Sequence, residues 1–162
     1  MGDIEAENIK IETISGDIKL QTLKEESLTL KTTSGDIFIE SAEGKIETKS
    51  TSGDISIKNA KGEIEAKTTS GEIEIQTIEG SVQMQSVSGN IECEDFKITG
   101  NSNIKTTSGE VKTYLNTESN CEIQTETISG NITLPNKRNV MGQEPYVELK
   151  IKTTSGNIRL EK

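Results

Sequence analysis

The sequence predicts an all-β fold, a single-stranded parallel β-helix (β-solenoid) with coils of about 18 residues. Three observations carry that prediction. Ser-Gly recurs eight times, at Ser15-Gly16, Ser34-Gly35, Ser52-Gly53, Ser70-Gly71, Ser88-Gly89, Ser108-Gly109, Ser129-Gly130 and Ser155-Gly156, always followed by Asp, Glu or Asn and then Ile or Val. Successive glycines of this set are 19, 18, 18, 18, 20, 21 and 26 residues apart. A weaker set, Gly44, Gly62 and Gly80, falls midway, so from Gly35 to Gly89 a glycine arrives every nine residues. Between glycines, apolar and polar residues alternate with period two, the pattern of a strand with one buried face.

The opening Gly2-Asp3-Ile4-x-Ala6 already reads as the inside of a repeat. Residues 1–162 are therefore expected to form one solenoid domain, a fragment of a longer protein. Each later coil should hold two strands and two turns. The strands are Ile37-x-Ile39, Ile46-x-Thr48-x-Ser50, Ile55-x-Ile57, Ile64-x-Ala66-x-Thr68, Ile73-x-Ile75 and Val82-x-Met84-x-Ser86. A helix is excluded because apolar residues sit at i and i+2, Ile and Thr dominate, and glycine interrupts every nine residues. Stacking the coils sets each strand parallel to its own copy in the next coil, about 4.8 Å away, with right-handed connections expected. The expected shape is a flattened two-sheet helix. About four inward aliphatics per coil, at about 1.5–3 kcal/mol each, offset the cost of ordering once several coils are present.

Widened turns are expected at Leu23–Ser27, Phe96–Asn103 and Thr117–Asn120. The last interval carries an insertion, Leu134 to Tyr146, with both prolines, one of two arginines and one of two tyrosines. In a solenoid such an insertion projects as a loop, so Asn136, Lys137, Arg138, Asn139 and Tyr146 are the candidate partner-binding residues. The alternative is a plain excursion or a flap over the end coil.

Two columns run along the stack. Three residues before each glycine stand Thr13, Thr32, Ser50, Thr68, Ser86, Thr106, Thr127 and Thr153. In phase with the inward face, they read as a ladder of hydroxyls bonding coil to coil. An outward, ice-matching Thr-x-Ser array is disfavoured by the adjoining turn and the charged columns. After each glycine stand Asp17, Asp36, Asp54, Glu72, Asn90, Glu110, Asn131 and Asn157. A short polar side chain there accepts from turn amides. The paired glycines of a calcium-binding nonapeptide roll are missing, so no metal site is expected.

With 2% aromatic residues and no Trp, the chain lacks the large side chains of an ordinary globular core, which a thin repeat core does not need. A net charge of −9, with Lys and Glu interleaved, opposes binding to nucleic acid or an anionic membrane surface. No apolar stretch is long enough to insert in a membrane. Cys93 and Cys121 are in phase with inward isoleucines and read as buried thiols, with one inter-coil bridge as the alternative. The absence of histidine removes the usual triads and most zinc sites, and neither nucleotide-binding fingerprint occurs. No catalytic residue and no cofactor is expected.

The unit T-x-S-G-[DEN]-[IV]-x-[IL], as in Thr32-Thr33-Ser34-Gly35-Asp36-Ile37-Phe38-Ile39 and Thr153-Thr154-Ser155-Gly156-Asn157-Ile158-Arg159-Leu160, resembles a bacterial adhesin-like domain family. Its members are tandem β-strand repeat domains of unknown function. The resemblance implies a non-catalytic structural or adhesion module of the cell envelope or extracellular space, meeting a protein or glycan. The alternatives are a cytoplasmic or membrane-associated scaffold in an assembly or envelope-stress pathway, and a polysaccharide-active enzyme. An exposed end coil also allows end-to-end self-association.

Overall fold

The computed structural model describes residues 8–135, 140–141, 143–144 and 146–162. The strands are β1 (Asn8–Ser15), β2 (Ile18–Ser34), β3 (Ile37–Lys49), β4 (Ile55–Ser70), β5 (Ile73–Ser88), β6 (Ile91–Ile98), β7 (Ser102–Ser108), β8 (Val111–Leu115), β9 (Cys121–Ser129), β10 (Ile132–Thr133), β11 (Val140–Met141), β12 (Val147–Ser155) and β13 (Ile158–Glu161). They wind into a β-solenoid of about six turns with about 19 residues per turn. Pairing is parallel and glycine-to-glycine: Ile37, Ile55, Ile73, Ile91 and Val111 stand in one column.

Long strands β2 to β5 pass through the midway corner without a break, so the expected two sheets are one sheet wrapped around the core. In β2 to β5 only the Ser-Gly corners interrupt it, whereas in later coils the chain also leaves the sheet at 99–101 and 116–120, within or beside the widened turns expected there. At the midway corner Gly62 has φ +125°, and a Cβ there would lie 2.2 Å from the carbonyl oxygen of Gly44 in the coil below. Glycine is needed because two backbones meet where any side chain would stand. The widened turn after Leu23 appears as a register shift between Lys24 and Ser27.

Stacking in chain order fails at the far end. β12 lies between β7 and β9, and β13 between β8 and β10, so the last coil in sequence is the penultimate one in space. The amide of Gly109 donates to Ser155 O at 3.1 Å, and that of Gly156 to Ser129 O at 2.9 Å, where chain order would have joined 109 to 129 directly. The burial of apolar groups explains the exchange. Inside the coil closed by Gly156, Leu149, Ile151, Ile158 and Leu160 are at most 1% exposed, covered from both sides. The coil now outermost offers Ile123 and Thr125 opposite Leu149 and Ile151, one aliphatic fewer, and leaves Ile132 42% exposed. The more aliphatic coil takes the covered place. The 26-residue final interval supplies the chain needed to double back.

The core is a set of aliphatic columns with one aromatic, Phe96, fully buried between Ile78 and Leu115. One column reads Ile39, Ile57, Ile75, Cys93, Thr113, Leu160. Thr113 is fully buried and its hydroxyl has no hydrogen-bond partner. Because an unpaired buried hydroxyl costs about 1–3 kcal/mol, Thr113→Val is expected to raise stability by about 1 kcal/mol in denaturant unfolding. An unchanged or lowered midpoint would show that the hydroxyl is satisfied.

Candidate functional site

Each coil spends its polar columns on its neighbours. Thr32 Oγ1 donates to Gly16 O at 3.4 Å, Ser50 Oγ to Gly35 O at 3.3 Å, Thr68 Oγ1 to Gly53 O at 3.2 Å and Thr106 Oγ1 to Gly89 O at 3.1 Å. The hydroxyl ladder is therefore built from hydroxyl to glycine carbonyl, inside the corner, and these hydroxyl residues are at most 5% exposed. The acidic column turns toward backbone. Asp17 Oδ1 accepts from Asp36 N at 3.1 Å, Asp36 Oδ1 from Asp54 N at 2.9 Å and Asp54 Oδ1 from Glu72 N at 2.8 Å. Glu72 is one methylene too long for that geometry, and its Oε1 accepts from Asn90 Nδ2 at 3.0 Å instead. These carboxylates anchor the corner as the sequence expectation had them.

Outer positions of the strands carry alternating Lys and Glu that pair between coils: Lys58 with Glu40 at 3.8 Å, Lys112 with Glu92 at 2.6 Å and Lys152 with Glu126 at 2.9 Å. Lys97 lies between Glu118 at 2.8 Å and Glu79 at 3.7 Å, and the hydrogen bond it donates to Glu118 holds its ammonium above the usual lysine range while lowering the Glu118 carboxyl. The groups are solvated, so such pairs set register more than stability. An open cleft of about 500 Å³ runs over the first four coils, between Asp17, Asp36, Asp54, Lys19, Phe38 and Glu74. Its ring, Phe38, is covered by the Lys58 ammonium at 5.4 Å from the centroid. Among the described residues, no three of His, Cys, Asp and Glu come together as a metal-binding group.

Of the candidate partner-binding residues, Asn136, Lys137, Arg138 and Asn139 lie outside the described residues. Tyr146 is described, at 38% exposed, beside the start of β12. The insertion serves topology: it carries the chain from the outermost coil back to the penultimate one. On the way β11 pairs antiparallel with β9, Val140 with Glu122 and Met141 with Cys121, covering one end of the outer edge. The insertion thus acts in part as the flap that was one of its two sequence readings.

Both cysteines are free and buried. Burial, with a smaller contribution from Glu92, pushes the Cys93 thiol up to about 12; burial pushes Cys121 up to about 11. Such thiols stay neutral in the folded chain at pH 7, so a maleimide reagent is expected to leave both unmodified until the protein is denatured. The pH dependence has a definite sign. Thiols of the unfolded chain ionise near pH 8.5–9 while the folded ones hold their protons, so each thiol's share of stability is complete below that range. It is lost as pH rises toward 11, at up to about 1.4 kcal/mol per pH unit for each thiol. Urea midpoints of the wild type and a Cys93→Ala variant at pH 8 and pH 10.5 test this, since the variant's alkaline loss should be the smaller.

Sequence reasoning missed the apolar groups at the two ends. Ile14 is 81% exposed and Ile128 74% exposed, both two residues before a corner glycine. The signal was present, because five of the other six members of that column are threonine. Among the described residues, no helix is long and apolar enough to cross a membrane.

A family model described as Toastrack DUF4097 matches residues 1–79 and again 62–161. No curated protein and no solved structure matches the chain.

Proposed function

Because the chain belongs to the Toastrack DUF4097 family, a β-solenoid domain family of unknown function, we propose that it is a non-catalytic structural module of adhesion type at the bacterial cell envelope. Its working part is the long, regular outer face, which meets a protein or a glycan by repeated polar contacts. One observation carries this reading. The reactive-looking columns of hydroxyls and carboxylates are committed to bonds between coils, as in Thr68 to Gly53 O and Asp54 to Glu72 N. What remains outward is a stiff grid of Lys, Glu, Gln and Thr at fixed spacing, suited to display.

The test is a glycan array and a whole-cell binding assay with the intact chain, run beside reducing-sugar release from the same polysaccharides. Binding without release supports the reading. Sugar release identifies an enzyme and overturns it, and failure to bind either glycans or cell surfaces overturns the adhesion role.

A further inference from the structure

The two ends of the stack are complementary, and we infer that this chain assembles head to tail with further copies of itself through its first coil and its spatially last coil. The inference is independent of the adhesion reading. In space the coils run in the order of glycines 16, 35, 53, 71, 89, 109, 156, 130. The coils at the two ends share the hexapeptide pattern Thr-Ile-Ser-Gly-(Asp/Asn)-Ile: Thr13 to Ile18 at one end and Thr127 to Ile132 at the other. No coil between them has Ile at the second place; five have Thr and one Val. Only because the last two coils exchange places does the second copy of this hexapeptide come to lie at an end.

Four bonds repeat from coil to coil in one direction. The glycine amide donates to the next coil's Ser carbonyl (Gly16 N to Ser34 O, 3.0 Å), and the following Ile amide to the next Asp or Asn carbonyl (Ile18 N to Asp36 O, 2.8 Å). The next coil returns a hydroxyl to the glycine carbonyl (Thr127 Oγ1 to Gly156 O, 3.2 Å) and an amide to the side-chain oxygen (Asn131 N to Asn157 Oδ1, 3.0 Å). At the far end the same groups, Gly130 N and O, Ile132 N and Asn131 Oδ1, point off the stack. At the near end Ser15 O, Asp17 O, Thr13 Oγ1 and Asp17 N are their counterparts. Among the described residues a Cβ at Gly16 would meet nothing nearer than Thr13 Oγ1 at 3.9 Å, so this coil has room for the carbonyl of a Gly130 that every inner glycine already receives from its neighbour.

The side chains fit the same register. Ile14 would lie on Ile128, Ile18 on Ile132 and Leu20 on Leu134, and Leu20 and Leu134 are only partly buried in the single chain. Asn131, facing Asp17, avoids stacking two carboxylates. Among the described residues the one like-charged pair, Glu12 with Glu126, arrives with each carboxylate already paired, to Lys10 at 3.0 Å and Lys152 at 2.9 Å. Among the described residues β11 pairs with β9 only at Cys121 and Glu122, and Gln124 to Ser129 are partly or fully exposed. Such a contact joins two different surfaces and does not close on itself, so it generates a linear array.

Sedimentation velocity of the intact chain tests the inference over about 1 µM to about 1 mM, the range that resolves weak association. The wild type is expected to grow beyond its 17.6 kDa monomer as concentration rises. Ile14→Lys and Ile128→Lys, both at solvent-exposed sites, are each expected to remain monomeric, while an equimolar mixture of the two forms a dimer and stops there, because each retains one competent end. Circular dichroism melts check that the variants are folded, and Ile→Thr, the residue of the inner coils, replaces any lysine variant that is not. A wild type that stays monomeric throughout, a lysine variant that still assembles alone, or a mixture that fails to pair overturns the inference.

Discussion

Gly53→Ala is expected to lower stability by about 3–5 kcal/mol, some 10 °C in Tm, while Gly16→Ala in the same column costs about 1 kcal/mol. The two glycines have similar backbones, φ +159° and +142°. Their surroundings differ. A Cβ on Gly53 would stand 2.0 Å from Gly35 O, whereas one on Gly16 meets nothing closer than 3.9 Å among the described residues. Gly53 N also donates to Ser70 O at 3.1 Å, so the coil cannot move off without breaking the ladder on its other side. The difference between the variants therefore isolates the contact between coils from the conformational preference of glycine. Thermal melts of both measure it, and equal losses would mean that backbone conformation alone selects glycine at these corners.

Ile158→Ala is expected to cost about 2–4 kcal/mol and Ile132→Ala less than about 1 kcal/mol, although both follow Ser-Gly-Asn. Ile158 has no exposed surface, lying between Val111 and Ile132, whereas Ile132 is 42% exposed on the outermost coil. Stacking in chain order would reverse the result, because Ile132 would then be enclosed and Ile158 would end the stack. Denaturant unfolding of the two variants thus reads the coil order directly. A larger loss at Ile132 than at Ile158 would refute the exchanged order.

These two experiments mark where the sequence was legible and where it was not. The strands at Ile37-x-Ile39 or Ile64-x-Ala66-x-Thr68, and the inward hydroxyls, follow from period-two alternation and glycine spacing, which act within one coil and between like coils. Paired residues such as Ile55 and Ile73 stand together because any other register would lay glycine under a side chain. The acidic column was equally readable, since an Asp after a corner glycine has amides within reach whatever lies farther away. The insertion was visible as an irregularity, yet its spacing carried no information on which rung the returning chain would join. The partner-binding role expected of Tyr146 stays with its exposure alone.

Periodicity thus settled the class of fold, the inward face and the bonds that join one coil to the next, because these depend on local pattern and on contact between equivalent residues. The order of the last two coils, and with it the pair of matching ends, was settled in three dimensions. Every coil here offers nearly the same backbone edge, so the motif accepts any neighbour. The choice between neighbours falls to the side chains that each arrangement buries, with Leu149 and Ile151 enclosed and Thr125 and Ile132 left at the rim.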